Sequence, residues 1–349
     1  MRLSTIFLLK FFILLSIKSS GQGFIWSPDS ITLADPNFAM SRYHEVLRFH
    51  DPVMYIAYPV IKTITDRKIP LQTGEGKEGF WVEGHFGYRF VIYQGKYYSI
   101  PVFQRTRFTL DASMLSRLTR DYSSPMLPFS TKLGFGLDFL LSSLEKLKNE
   151  SSGMVWTTLQ LHHYSNGQAD SFFMEAPVKR NNYKSGDFST NYWRTLLNIA
   201  NNKKNLLITS IGFQKEVDLG GPLAISKEMK NYYGDGRLLF QLHWIKKPSL
   251  STKNYSIRGN PNKGTVEKTI RRQFGIRGEL EYIIGDLSEF SGEQKRRLGW
   301  HTYITYMPSV TNEVGIIAHT YLGRDYMNIR FDDIVFVGGL GFYVKFNGK

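Results

Sequence analysis

The sequence has no cysteine. That excludes a disulfide-stapled scaffold, a thiolate-held zinc or iron–sulfur centre, and a cysteine nucleophile. Past its first twenty residues the chain has no long apolar run, so no helix is expected to span a membrane. A G-x-S-x-G elbow and an H-E-x-x-H zinc motif are also missing. Aromatic side chains and glycine, in contrast, are abundant: 25 Phe, 20 Tyr, 6 Trp and 31 Gly in 349 residues. Such a composition suits strands, and 42% hydrophobic residues is too many for a disordered chain. Lys and Arg number 44 against 30 Asp and Glu, giving a formal charge of +14. An excess of that size calls for an anionic partner, either nucleic acid or a membrane surface.

Residues 1–21 read as a secretory signal peptide. Arg2 opens it, an apolar run follows over 6–17 with Lys10 inside, and Ser19, Ser20 and Gly21 offer small residues for cleavage. Removing Arg2, Lys10 and Lys18 with it lowers the charge from +14 to +11. An exported protein does not meet the genome, so a membrane surface is the expected partner and nucleic acid is not.

The remainder shows stretches of ten to fourteen residues whose character alternates with period two. In 79–93, Phe80, Val82, Gly84, Phe86, Tyr88, Phe90 and Ile92 fall on one face. Trp81, Glu83, His85, Gly87, Arg89 and Val91 fall on the other. Near the C-terminus, Leu340, Phe342, Val344 and Phe346 alternate with Gly339, Gly341, Tyr343 and Lys345. Twelve strands are expected, near 53–60, 80–93, 97–110, 130–142, 153–165, 188–200, 205–217, 235–246, 270–284, 296–307, 313–322 and 335–346. Short connections at 94–96, 201–204 and 308–312 contrast with long polar ones at 61–79, 166–187 and 218–234. Short turns on one side and long loops on the other are the pattern of an outer-membrane barrel. Two long segments, 111–129 and 247–269, stand where short turns belong. The expected architecture is all-β: a transmembrane antiparallel β-barrel over 51–349 in the bacterial outer membrane, preceded by an irregular periplasmic segment at 22–50.

Chemistry concentrates in 159–167, Leu-Gln-Leu-His-His-Tyr-Ser-Asn-Gly. On a strand, His163 and Ser165 share a face with Leu159 and Leu161, the apolar one, while Gln160, His162 and Tyr164 point the other way. In a barrel this sets a histidine and a serine on the outside, beside a long loop and near the lipid interface. A polar pair there costs free energy unless partners satisfy it. Serine is a weak nucleophile until a base takes its proton, and histidine does so near neutral pH. A third group must then hold the imidazole in one tautomer. Asn191, opening the next strand in register with Trp193, Thr195, Leu197 and Ile199, can accept from the imidazole N–H. His162, His85 and His301 are expected to be wall residues. The G-x-G-x-x-G at 74–79 precedes a strand and is expected to be a polar loop.

His163-Tyr164-Ser165-Asn166-Gly167, with an asparagine opening the next strand, resembles the outer membrane phospholipase A family. Residues 321–329 and 337–341 look like that family's last loop and strand. The resemblance implies a twelve-stranded barrel with a calcium-dependent serine hydrolase that cleaves acyl esters of membrane phospholipids. It makes His163 the base, Ser165 the nucleophile and Asn191 the orienter, and puts the Gly167 amide in the oxyanion hole. It assigns Ca2+ to the Gln168 carbonyl and the Asp187 side chain, and implies a homodimer as the active form. The chain departs from the family in carrying Gln168 where the family has arginine. Its loop between Ser165 and Asn191 is also much longer. Two alternatives stand beside this reading. A lipid A deacylase would use a glutamate as third member, with Glu175 the candidate; a porin or adhesin barrel would carry no chemistry.

Overall fold

The structure is a computed structural model that describes Tyr43, Val46, Leu47 and residues 54–63, 80–95, 101–119, 126–143, 153–173, 181–183, 185–201, 205–229, 232–255, 266–288, 296–308, 314–327 and 331–344. The leader at 1–21, most of 22–50, the loop at 74–79, Glu175 and Phe346 lie outside the described residues.

Twelve antiparallel strands close on themselves. They are β1 (Met54–Thr63), β2 (Phe80–Gln94), β3 (Thr106–Thr119), β4 (Ser130–Leu140), β5 (Met154–Ser165), β6 (Ser189–Asn201), β7 (Leu206–Glu216), β8 (Gly236–Tyr255), β9 (Val266–Ile283), β10 (Leu298–Met307), β11 (Val314–Arg324) and β12 (Ile334–Val344). Each strand pairs with its neighbours in sequence, and β1 pairs with β12, so no edge is left open. The alternation sets which side chains face in. Along β5, Met154, Trp156, Gln160, His162 and Tyr164 are buried in the lumen, whereas Leu159 and Leu161 are exposed on the outside. Outward residues such as Phe135, Ile211, Leu340 and Phe342 form an exposed apolar surface of the kind a bilayer's hydrocarbon requires.

Two strands depart from the alternation reading. β3 begins at Thr106, not 97, because Pro101 opens a one-turn helix, α1 (Pro101–Gln104), and cannot donate to a ladder. β3 then runs on through Asp111, Ser113 and Arg117, so 111–119 is strand and not loop. Those residues look like a loop in sequence because the lumen they line is polar. In β2 a bulge between Phe80 and Val82 exchanges two positions: Phe80 is buried and Trp81 exposed, opposite to strict alternation. The segment 247–269 is largely a continuation of β8 and β9, which stay paired out to Tyr255 and Val266.

Packed side chains occupy both ends of the lumen. At the end bearing the short turns, Tyr43, Val46 and Leu47 are helical, and their spacing sets all three on one helix face. They pack with Leu140, Met154, Trp156, Ala200, Leu206, Ile208 and Ile245 from the wall. These three residues of 22–50 therefore pack inside the barrel. At the loop end, Phe172, Phe188, Met229, Tyr232, Leu287 and Phe331 form a second apolar cluster over Tyr164 and Tyr192. Between the two lies a charged layer. Arg117 bonds Glu83 at 2.7 Å and Asp325 at 2.7 Å, and all three are nearly or completely buried. The hydroxyls of Tyr55 and Tyr326 donate to Glu83 at 2.7 and 2.8 Å. Arg89 pairs with Asp111, and Arg107 with Asp138. Charges buried this deeply persist only when paired and hydrogen-bonded. A cavity of about 350 Å3 remains in the lumen, lined by Lys132, His162, Arg194 and Arg237 among others.

Candidate active site

The loop-end tip of β5 meets the start of β6. Ladder partners are His163 with Asn191 and Ser165 with Ser189. Directly opposed side chains on one face of an antiparallel pair come within roughly 5 Å at Cβ. The two side chains touch: His163 Nδ1 lies 2.9 Å from Asn191 Oδ1.

The protonation pattern follows from the next bond. Asn191 Nδ2 donates to the Leu223 carbonyl at 2.5 Å. A carbonyl only accepts, so the amide nitrogen must point at Leu223 and Oδ1 at the imidazole. Oδ1 also only accepts, so Nδ1 of His163 carries the proton. In the neutral ring Nε2 is then the basic nitrogen. Asn191 is fully buried, whereas its face-mates Trp193 and Leu197 are exposed. The Trp193 ring lies tilted against Phe213, with centroids 5.4 Å apart and ring planes at 59°.

Ser165 is held by its backbone. The Thr131 hydroxyl, on β4, donates to the Ser165 carbonyl at 2.8 Å. The Ser165 hydroxyl itself has no hydrogen-bond partner among the described residues and is partly exposed. Asn166 then turns the chain. Its Nδ2 donates to the Gly186 carbonyl at 2.8 Å, and its Oδ1 accepts from the Gln168 and Phe188 amides at 3.2 and 3.1 Å. Gly167 sits on that turn with φ 64°, the left-handed region that favours glycine, and is exposed. Its N–H has no partner among the described residues. It is therefore a free donor two residues from the serine, the type of group that stabilises an oxyanion.

The proposed calcium ligands lie on the same loop. The Asp187 amide donates to the Asp170 carbonyl at 2.9 Å, and Asp187 Oδ2 accepts from the Ser226 hydroxyl at 2.8 Å. Among the described residues no three His, Asp or Glu side chains gather into a metal-holding group. A Ca2+ ion takes roughly six to eight oxygens. This chain offers a carboxylate with one oxygen already engaged, plus loop carbonyls such as that of Gln168. Those oxygens are hard donors of the kind Ca2+ takes, but they do not by themselves make a complete site.

His162 faces the lumen, with Nε2 3.1 Å from Asp111 and Nδ1 3.1 Å from the Tyr192 hydroxyl. His301 lies 3.2 Å from His319 inside the wall. Below the site, burial pushes the Tyr233 phenol well above its ordinary pKa, so it stays neutral against Phe188 and Arg237.

Four contributors had no signal in the sequence strong enough to identify them: Thr131, Ser189, the Leu223 carbonyl and Ser226. The Ser189 hydroxyl donates to the Ala224 carbonyl at 3.0 Å, and its amide to Ser226 Oγ at 2.8 Å. The β7–β8 connection was legible only as a long polar segment at 218–234.

No family model matches the chain, and no curated protein matches it. Among solved structures it is similar to outer membrane phospholipase A from Escherichia coli, with a TM-score of 0.50 and 13% identity, over 85% of this chain and 95% of that one. The Salmonella typhi outer membrane phospholipase dimer with bound calcium is similar at a TM-score of 0.49 and 14% identity, over 84% of this chain and 90% of that one. At these identities the likeness is one of fold: a closed all-β barrel of the phospholipase A kind.

Proposed function

We propose that this protein is a serine hydrolase of the outer membrane that cleaves acyl esters of phospholipids at the membrane surface. One observation carries the reading. A tautomer-fixed imidazole, His163 bonded to Asn191 at 2.9 Å, stands beside Ser165 on the outward, apolar face of the barrel. The apolar packing inside both ends of the lumen argues against a passive channel.

In the proposed reaction His163 Nε2 takes the Ser165 hydroxyl proton as Oγ attacks the ester carbonyl carbon. The Gly167 N–H receives the charge that builds on the carbonyl oxygen. The carbon–oxygen bond to the glycerol breaks, and the imidazolium returns its proton to that leaving oxygen. Water then attacks the acyl-serine through the same histidine, releasing the fatty acid and restoring the hydroxyl. Throughout, Asn191 holds the ring and accepts from Nδ1–H. The Gln168 carbonyl and Asp187 would hold Ca2+, which supplies positive charge toward the oxyanion. A second copy of the chain is the proposed source of the remaining oxygens.

The test is fatty-acid release from phospholipid–detergent micelles by the refolded barrel, with calcium or with chelator, for the wild type and Ser165→Ala. Release that needs calcium and vanishes in the variant supports the reading. A folded wild type that releases nothing would sink it.

A further inference from the structure

We propose that the β7–β8 loop belongs to the hydrolytic device, with the Leu223 carbonyl as a fourth member that sets the Asn191 amide. The inference rests on the proposed hydrolase reading and deepens it.

Residues 223–226 run beside 187–191 through a series of bonds. Asn191 Nδ2 donates to the Leu223 carbonyl at 2.5 Å, and the Ser189 hydroxyl to the Ala224 carbonyl at 3.0 Å. The Ser226 amide donates to the Ser189 carbonyl at 2.9 Å, and the Ser189 amide returns a bond to Ser226 Oγ at 2.8 Å. The Ser226 hydroxyl in turn donates to Asp187 at 2.8 Å, and the Val217 amide to the Asn191 carbonyl at 2.9 Å. The loop thus grips the start of β6 at the residue facing His163 and at the two that precede it on the same strand face.

The chain reaches this position through an unusual turn. Gly220 has φ 69° and ψ 177°, and Gly221 has φ 58°. The first conformation is nearly confined to glycine, and the second strongly favours it. A 3-10 turn, Gly221–Leu223, follows, braced by Asp218, whose Oδ1 accepts from the Gly220 amide at 2.9 Å. This glycine turn delivers the Leu223 carbonyl to a fixed point. If Leu223 moved, the amide could turn over and present Nδ2 to the imidazole. Nδ1 would then have to accept, and the proton would move to Nε2, where it blocks the base. The Leu223 carbonyl is therefore a positioning group: it touches neither substrate nor serine, and it selects which imidazole nitrogen is basic.

The experiment is a double-mutant cycle on hydrolysis, using Gly220→Ala/Gly221→Ala and Asn191→Ala separately and together. A Cβ at either glycine meets no atom within 4 Å, so the change strains the turn without a clash. Losing one oriented hydrogen bond is worth about tenfold in kcat, with KM unchanged. In the Asn191→Ala background the glycine changes should have less than about twofold further effect, because the bond they disturb is already gone. Asp218→Ala, which removes the brace without touching the glycines, should reproduce the single effect. Full activity in both loop variants would overturn the proposal, as would independent, multiplying losses. A wild type without activity, or a Ser165→Ala variant that keeps it, would instead overturn the hydrolase reading itself.

Discussion

His163 and Asn191 face each other across the β5–β6 ladder, and the bond between Nδ1 and Oδ1 spans 2.9 Å. Register brings the two side chains together on one face of the sheet. A slip of one residue would turn Asn191 into the lumen and bring an inward residue out to meet the histidine. The proposed chemistry therefore depends on the same ladder that closes the barrel.

Asn191→Ala removes the acceptor that fixes the ring. We expect kcat for phospholipid hydrolysis to fall by about tenfold or more, with the barrel still folded by heat-modifiability on gels. An unchanged kcat would exclude Asn191 as orienter.

Gly167→Ala tests the free amide. The backbone there has φ 64° and a Cβ would meet nothing within 4 Å, so the cost is backbone strain of about 1–2 kcal/mol and not collision. If the turn relaxes, its N–H leaves the serine. The expected outcome is a lower kcat together with a urea midpoint lowered by no more than that strain, read by hydrolysis and by urea unfolding.

Arg117→Met tests the lumen. The change strips the buried carboxylates of Glu83 and Asp325 of their shared cation. Breaking such a network costs about 3–5 kcal/mol. Urea unfolding should shift accordingly, while hydrolysis per folded barrel stays at the wild-type level.

Leu47→Ala tests the helical packing inside the turn end. Leu47 is fully buried among wall residues, so truncation should cost about 2–5 kcal/mol, measurable in the same unfolding assay. No loss of stability would mean that the helix is a passenger in the lumen.

Strand number and most of the inside–outside assignment were legible because side chains along a barrel strand alternate with period two except at bulges such as that in β2. Leu340 and Phe342 come out exposed and Tyr343 buried, as their alternation requires. The outward placement of His163, Ser165 and Asn191 was legible for the same reason. The start of β3 was not. Nor was its second half: the lumen-facing Asp111 and Arg117 look like loop residues until their partners on β2 and the β11–β12 loop are seen. The Leu223 carbonyl was out of reach altogether. Every residue carries a carbonyl, so one that performs a special task leaves no mark in the sequence; only the two glycines that bend the chain toward Asn191 hint at it.

The outward aspect of Ser165 and His163 has a kinetic consequence. With the barrel seated in a bilayer, as proposed, a group on its outer wall is reached sideways, by molecules already lying in the same leaflet. Encounter is then a two-dimensional search, and the quantity that sets its frequency is mole fraction in the surface, not concentration in the bulk. Diluting an ester lipid with an inert one at constant total lipid should slow such a site, whereas diluting the whole suspension with buffer should not.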